Sequence, residues 1–337
     1  MFGGADLLGE VLPAALALTV GFTVTLLLIP QVSGFMRRHG ILGVDVHKPE
    51  RPLIPEMCGV ALVLGVTASS IFIGILRSDY LLKVVAFTAS TLIVAVVGAL
   101  DRLMKLGPRL KPLLTAFGAI PILILAAYNP HPSLPFIGGV RLTIIYPLLI
   151  PVAVAVTANA VNMLDVYNGS MSGTCTVAVL SVIICMFING SVEAAGLAAG
   201  LLGGLLSFHI YNRYPARIFA GDVGSLYVGA AIGVLAIFGR VEVAAVTALM
   251  PHIMNAFYGL AAVGRLYERR EISARPVVVL PDGRLDASSD RRAPVTLARM
   301  ILAGGPLKEY EVTARMVTLS AVSAGLAVAT QLLISWC

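Results

Sequence analysis

Charge is what this sequence lacks. Only 12% of its 337 residues are Asp, Glu, Lys or Arg, about half the share of an ordinary soluble domain. Hydrophobic residues make up 58%, and the mean hydropathy is +0.91. Cysteine is also sparse. Cys58, Cys175, Cys185 and Cys337 show no metal or redox spacing, which excludes a zinc motif and argues against a disulfide framework. Cys175 and Cys185 fall inside one apolar run, where packing is the expected role. No GxxxxGK(S/T) loop occurs, so a P-loop ATPase is excluded, and neither GxSxG nor HExxH is present.

What remains is apolar sequence in long uncharged runs. Ten are counted, near 11–33, 57–76, 84–100, 112–128, 142–160, 172–188, 194–211, 223–239, 243–264 and 317–336. Their length suits ~30 Å of hydrocarbon, so an all-α polytopic membrane protein with about ten transmembrane helices is expected. The runs are continuous rather than alternating, which excludes a β-barrel. A single integral membrane domain over 1–337 follows, with 265–316 as a long cytoplasmic loop within it.

The first run has no basic segment before it. Asp6 and Glu10 precede it, and Arg37 and Arg38 follow. A cleavable signal peptide is therefore not expected, and the N-terminus is placed outside. Ten spans then put the C-terminus outside too. With this orientation the inner connections hold 20 of the 24 Lys and Arg, leaving only Arg77, Lys83, Arg141 and Arg240 outside. The net charge of +6 is thus topological, and no nucleic acid is expected as a partner.

Polar residues gather in the inner connections, where binding and catalysis are expected. Asp45, Asp101, Asp165 and Asp222 supply carboxylates; Lys48, Lys105, Lys111, Arg213 and Arg217 supply cations; Asn159, Asn162 and Asn168 supply amides. Acid, base and amide at one membrane surface suit a site for Mg²⁺ and a phosphorylated ligand. Each residue has a plainer reading. Asp222 could cap the following helix, Arg213 and Arg217 could be topological anchors, and Asn168-Gly169 is an ordinary turn signal. Asn159 and Asn162 lie one helical turn apart and can face one cavity. His252 and Asn255, also three apart, read as a polar contact between helices. Asn189-Gly190-Ser191 is a glycosylation sequon on a very short outer loop and is read as chance.

Four stretches in order carry a resemblance: DVHKPERPLIPEMCG at 45–59, the helix end at Asp101 followed by Lys111, NAVNMLDVYNG at 159–169, and FAGDVGSLYVG at 219–229. Together they resemble the polyprenyl-phosphate N-acetylhexosamine-1-phosphate transferase superfamily. Asp45-x-x-Lys48, Pro55-Glu56 and NRYPARIFAGD resemble most the eukaryotic and archaeal UDP-GlcNAc–dolichyl-phosphate GlcNAc-1-phosphotransferases. The resemblance implies a transferase that moves N-acetylhexosamine-1-phosphate, GlcNAc-1-phosphate first among the candidates, from a UDP-sugar to polyprenyl or dolichyl phosphate. UMP is released, and lipid-linked glycan assembly for N-glycosylation begins. A bacterial-type transferase initiating cell wall or polysaccharide is the alternative.

By position, the resemblance assigns Asp222 and Asn162 to a Mg²⁺ ion, with Mn²⁺ allowed as a substitute. It gives catalytic roles to Asp101, Asp165 and Lys111. Substrate contacts fall to Lys48, Glu56, Asn159, Asn162, Asn168 and Arg275. The partners are the UDP-N-acetylhexosamine, the polyprenyl or dolichyl phosphate and membrane lipids, and a homodimer is allowed. The site would face the cytoplasm, at the plasma membrane of an archaeon or the endoplasmic reticulum of a eukaryote.

Two departures stand out. The family usually has two adjacent aspartates where this chain has Asp101 and Arg102, with Asp165 as the expected substitute for the second. An Arg102→Asp change is therefore expected to be tolerated or to raise activity if the position faces the site, and to lower the folding yield if Arg102 has an unrelated structural partner. The last inner loop lacks the bacterial His-rich motif, and VVVLPDGRL there reads as a β-hairpin turning at Asp282-Gly283. A transporter, a lipid phosphatase and an inactive relative are the rival readings.

Overall fold

A computed structural model describes residues 4–264, 266 and 273–336, with side chains from residue 11 onward. The helices in order are α1 (Gly4–Arg38), α2 (Gly59–Leu76), α3 (Leu81–Met104), the short α4 (Leu110–Ala116) and α5 (Ile120–Ile124), α6 (Ile145–Leu164), α7 (Ser170–Ile188), α8 (Val192–Asn212), α9 (Gly221–Gly239), α10 (Glu242–Ala248), α11 (Met250–Val263), α12 (Leu297–Leu302) and α13 (Glu309–Trp336). Among the described residues, eight of these are long and apolar enough to cross a membrane: α1, α2, α3, α6, α7, α8, α9 and α13. The fold is thus an all-α polytopic membrane protein.

Two of the ten expected spans come out differently. The segment at 243–264 is α10 followed by α11, bent by 67° at Leu249. Pro251 in the first turn of α11 has no N–H to continue the α10 ladder, which accounts for the break. The segment at 112–128 covers only Leu110–Ile124 as helix. At 1.5 Å per residue it reaches about 22 Å, short of the hydrocarbon thickness. Gly118 and Pro121 interrupt it, and Ala126 ends it with φ of 47°.

α9 sits at the centre, buried along nearly its whole length against α3, α6, α8 and α2. α1 and α13 are peripheral and expose Leu27, Val322 and Leu326, as lipid-facing helices do. The polar contacts expected inside the bundle are present. His252 Nε2 lies 2.9 Å from Thr174 Oγ1, and Asn255 Nδ2 donates to the Met163 carbonyl at 3.3 Å. Cys58, Cys175 and Cys185 are free and buried; Cys337 lies outside the described residues. At the short 189–191 turn, Asn189 Nδ2 donates to the Gly239 carbonyl at 2.9 Å.

Alternation of the helices brings one set of ends together. The C-terminal ends of α3, α6 and α8 meet the N-terminal ends of α2, α4, α7, α9 and α13 there. Two antiparallel hairpins lie at this charged end. β1 (Leu42–Val44) pairs with β2 (Leu53–Pro55), and, further along the chain than the short pair β3 (Ser133–Leu134) and β4 (Gly138–Gly139), β5 (Val277–Val279) pairs with β6 (Leu285–Ala287). The β5–β6 turn falls at Asp282-Gly283, with Gly283 at φ of 78°, as its sequence predicts. Residues 265 and 267–272 of the 265–316 segment lie outside the described residues.

Candidate active site

The site is built where helix backbones come unusually close. An added Cβ on Gly98 of α3 would lie 2.5 Å from the Asp222 carbonyl oxygen. One turn beyond Gly98, Asp101 therefore arrives beside Asp222. The same device joins α6 to α9, since a Cβ on Gly229 would lie 2.3 Å from the Thr157 carbonyl. One turn along each helix, Asn162 Nδ2 donates to Ser225 Oγ at 2.8 Å. Small residues at these crossings let the polar groups of three helices converge.

Lys111 is the hub. Its ammonium lies 2.8 Å from Asp101 Oδ2 and 2.6 Å from Asp222 Oδ2. Asp222 Oδ1 accepts from Asn162 Nδ2 at 3.0 Å. Asp101 and Lys111 are both buried. The capping reading of Asp222 does not hold: the N-cap position of α9 is Ala220, and Asp222 lies in the first turn with its carboxylate turned to Lys111 and Asn162. Asn159 Nδ2 donates to Thr115 Oγ1 at 2.9 Å, tying α6 to α4.

Beside this centre lies a cavity of about 1080 Å³. Glu56, Lys111, Asn159, Asn162, Asp165, Asn168, Asp222 and Arg275 all line it. Phe219, Val44 and Val46 give it an apolar wall, and Val156, Ile253, Phe257 and Leu260 give it another on α6 and α11. Such a cavity is large enough for a nucleotide-sized ligand. Asp101 does not line it; its carboxylate stands behind Lys111. Lys48 lies off the main cavity too, beside a smaller hollow formed with Pro49, Arg51 and Leu280.

Backbone bonds hold the first loop in place. Phe219 N donates to Pro55 O at 2.8 Å, and Cys58 N donates to Phe219 O at 2.9 Å. Glu56 is thereby set on the cavity wall, where Arg102 Nη2 pairs with its Oε2 at 2.9 Å. An acid at position 102 would face Glu56 instead of pairing with it. Burial pushes the Glu56 carboxyl up from the usual range, the Arg102 guanidinium pulls it down, and Asp222 adds a smaller upward push.

A second polar knot joins three segments. Lys48 pairs with Asp45 and donates to Asn168 Oδ1 at 2.8 Å. Asn168 N donates to Glu309 Oε1 at 2.8 Å. Glu309 was not among the residues singled out from the sequence, where it reads as an acid favouring a helix start. Asp45, His47 and Glu309 bring ligand atoms within 4.8 Å of one another, but the Lys48 ammonium already pairs with both carboxylates.

At the Asp101–Lys111–Asp222 centre the Lys111 ammonium pairs with both carboxylates in the same way. Two carboxylates converge there on one cationic group, and Asn162 turns its amide nitrogen to Asp222 Oδ1. Carboxylate oxygens of this kind are hard donors that suit Mg²⁺ once the ammonium is displaced.

A membrane bundle with carboxylates, an ammonium and amides around a cavity at one end is built for phosphate chemistry within reach of lipid. The sequence pattern described as Glycosyl transferase family 4 matches residues 84–240. Similar proteins extend over nearly the whole chain. One of Saccharolobus solfataricus, provisionally named UDP-N-acetylglucosamine–dolichyl-phosphate N-acetylglucosaminephosphotransferase, is 27% identical over 334 residues, 96% of this chain and 98% of that one. A protein of Sulfolobus acidocaldarius with the same provisional name is 30% identical over 74% of this chain and 78% of its own. A provisionally named undecaprenyl-phosphate N-acetylglucosaminyl 1-phosphate transferase of Bacillus subtilis is 29% identical over 66% of this chain and 63% of its own. The chain belongs to this family of polyprenyl-phosphate sugar-1-phosphate transferases.

Proposed function

We propose that the chain transfers N-acetylglucosamine-1-phosphate from UDP-GlcNAc to a polyprenyl phosphate of the dolichyl type, at the cytoplasmic face of the membrane. The single observation that carries the reading is the Lys111 ammonium held between Asp101 and Asp222 on the wall of the cavity. A phosphate oxygen of the lipid attacks the β-phosphorus of the nucleotide sugar. The bond from that phosphorus to the oxygen bridging to the α-phosphate breaks, and UMP leaves. The products are polyprenyl-diphosphate-GlcNAc and UMP, which would open lipid-linked glycan assembly for N-glycosylation.

Positioning and fixed charge do most of the work, because a phosphate is already largely anionic at pH 7. On this reading Lys111 and Arg275, both on the cavity wall, bind the phosphates. Asn159, Asn162 and Glu56, which line the cavity, on the same reading hydrogen-bond the nucleotide sugar, and Asp165, which also lines it, orients the incoming lipid phosphate. Asp101 acts through Lys111, whose ammonium it holds. A bound Mg²⁺, held by Asp222 and Asn162, would neutralise the diphosphate.

The test is UMP release from UDP-GlcNAc by the purified, detergent-solubilised protein. The expected result is release that requires both dolichyl phosphate and Mg²⁺ and stops with EDTA. Release from another UDP-sugar alone would move the sugar assignment. No release from folded protein with any UDP-sugar would overturn the transferase reading.

Position 102 makes a separate prediction. Removing the guanidinium lets the Glu56 carboxyl rise further, so the carboxylate is lost at a higher pH on acidification. Arg102→Ala is therefore expected to move the acid limb of the kcat/KM profile to higher pH, and Arg102→Asp to move it further. A profile of kcat/KM for UDP-GlcNAc against pH decides this. An unmoved acid limb would detach Glu56 from binding.

A further inference from the structure

Asn168 makes five hydrogen bonds at the charged end of the bundle. Its N–H donates to Glu309 Oε1 at 2.8 Å, and its carbonyl accepts from Thr313 Oγ1 at 3.2 Å. Its Oδ1 accepts from Lys48 at 2.8 Å and from the Ala216 N–H at 2.7 Å. Its Nδ2 donates to Asp45 Oδ2 at 3.2 Å. The residue is only 3% exposed. A side chain so satisfied cannot turn to a ligand without giving up bonds that burial makes costly to lose.

These contacts have a common consequence. Asn168 lies in the turn between α6 and α7, closed by Gly169 at φ of 77°. The same turn carries Asp165, with Asn162 at the helix end just before it, and both line the cavity. Glu309 opens α13, two residues after Leu307, whose backbone pairs with Leu285 of β6 at 2.7 and 3.0 Å. The β5–β6 hairpin begins two residues after Arg275, which also lines the cavity. Glu309 therefore touches one structure that presents charge to the cavity, the α6–α7 turn, and lies two residues from Leu307, which pairs with the hairpin that follows another, Arg275.

We infer that Glu309 is a positioning residue for the transfer reaction: through the Asn168 N–H it seats the α6–α7 turn, and with it Asp165, against the loop that carries Arg275. Lys48 and Asp45 complete the seat from the first loop, with the Lys48 ammonium 3.6 Å from Glu309 Oε2. On this assignment Lys48 and Asn168 act on the substrate through the turn they hold. The inference rests on the proposed transferase reading.

The test uses the full-length protein in detergent with Glu309→Ala, Glu309→Gln and Thr313→Val. A small displacement of reacting groups costs rate rather than affinity, so Glu309→Ala is expected to lower kcat about 10²-fold. Its KM for UDP-GlcNAc is expected to stay within about threefold of wild type. Glu309→Gln keeps a carbonyl oxygen for the Asn168 N–H and is expected to recover most of kcat. Thr313→Val removes only the partner of the Asn168 carbonyl and is expected to lower kcat in the same direction by a smaller factor.

Hydrogen exchange of the backbone around Asn168 gives a readout that needs no turnover. It is expected to quicken in Glu309→Ala and to stay at the wild-type rate in Glu309→Gln. A raised KM with kcat kept would make the knot a substrate contact and overturn the inference. So would unchanged exchange in Glu309→Ala, or a Gln variant as slow as Ala. Wild-type protein that releases no UMP would overturn the transferase reading instead, leaving exchange to judge the seat.

Discussion

Asp222→Asn is expected to lower UMP release by about 10³-fold or more, a loss of roughly 4 kcal/mol of transition-state stabilisation. The carboxylate lies in the first turn of α9 and faces Lys111 and Asn162 at 2.6 and 3.0 Å. Asparagine keeps its shape but not its charge. Lys111 would retain Asp101 at 2.8 Å, so the bundle should remain folded. UMP release and the thermal midpoint measured on the same preparation separate the two effects. Turnover near the wild-type rate would remove Asp222 from the reacting centre and end its assignment to Mg²⁺.

Lys111→Met is the second large effect, and it acts on stability as well as rate. Without the ammonium, Asp101 and Asp222 are left together at the end of α3 and the start of α9 with no cation between them. Breaking a buried pair from one side costs about 3–5 kcal/mol, and the lower end applies because the Asp222 side chain is a third exposed. Activity should be lost and the thermal midpoint should fall. A divalent cation can take the place of the missing ammonium, so millimolar Mg²⁺ is expected to raise the midpoint of the variant more than that of the wild type. Equal responses to Mg²⁺ would argue that the two carboxylates are not a cation site.

Much of the architecture was legible before any coordinates. Hydrocarbon thickness imposes a minimum length on an apolar run, and eight runs are full helices as expected. The β5–β6 hairpin announced itself through Val277–Val279 and the Asp282-Gly283 turn. Two spans read less well, because a count of uncharged residues does not see a backbone break. The bend before Pro251 and the interruptions at Gly118 and Pro121 are proline and glycine effects inside apolar sequence. Most of the polar residues that the structure brings together were singled out as a set. Position in the inner connections picked out Asp101, Lys111, Asn162 and Asp222 together, but not which would touch which. Glu309 escaped notice because one acid at a helix start is common, and nothing local points it at Asn168, 141 residues away.

The sequence by itself determined that this chain lives in a membrane, that its polar chemistry gathers at one end of the bundle, and which carboxylates, cations and amides are available there. Those properties follow from hydropathy and charge taken a few residues at a time. Only the tertiary structure decided the pairing: Lys111 with both Asp101 and Asp222, Arg102 with Glu56, Glu309 with Asn168. Each pair joins segments far apart in the chain or on different helices. The meeting at Lys111 depends on how closely α3, α6 and α9 approach at Gly98 and Gly229, a matter of packing that local sequence cannot express.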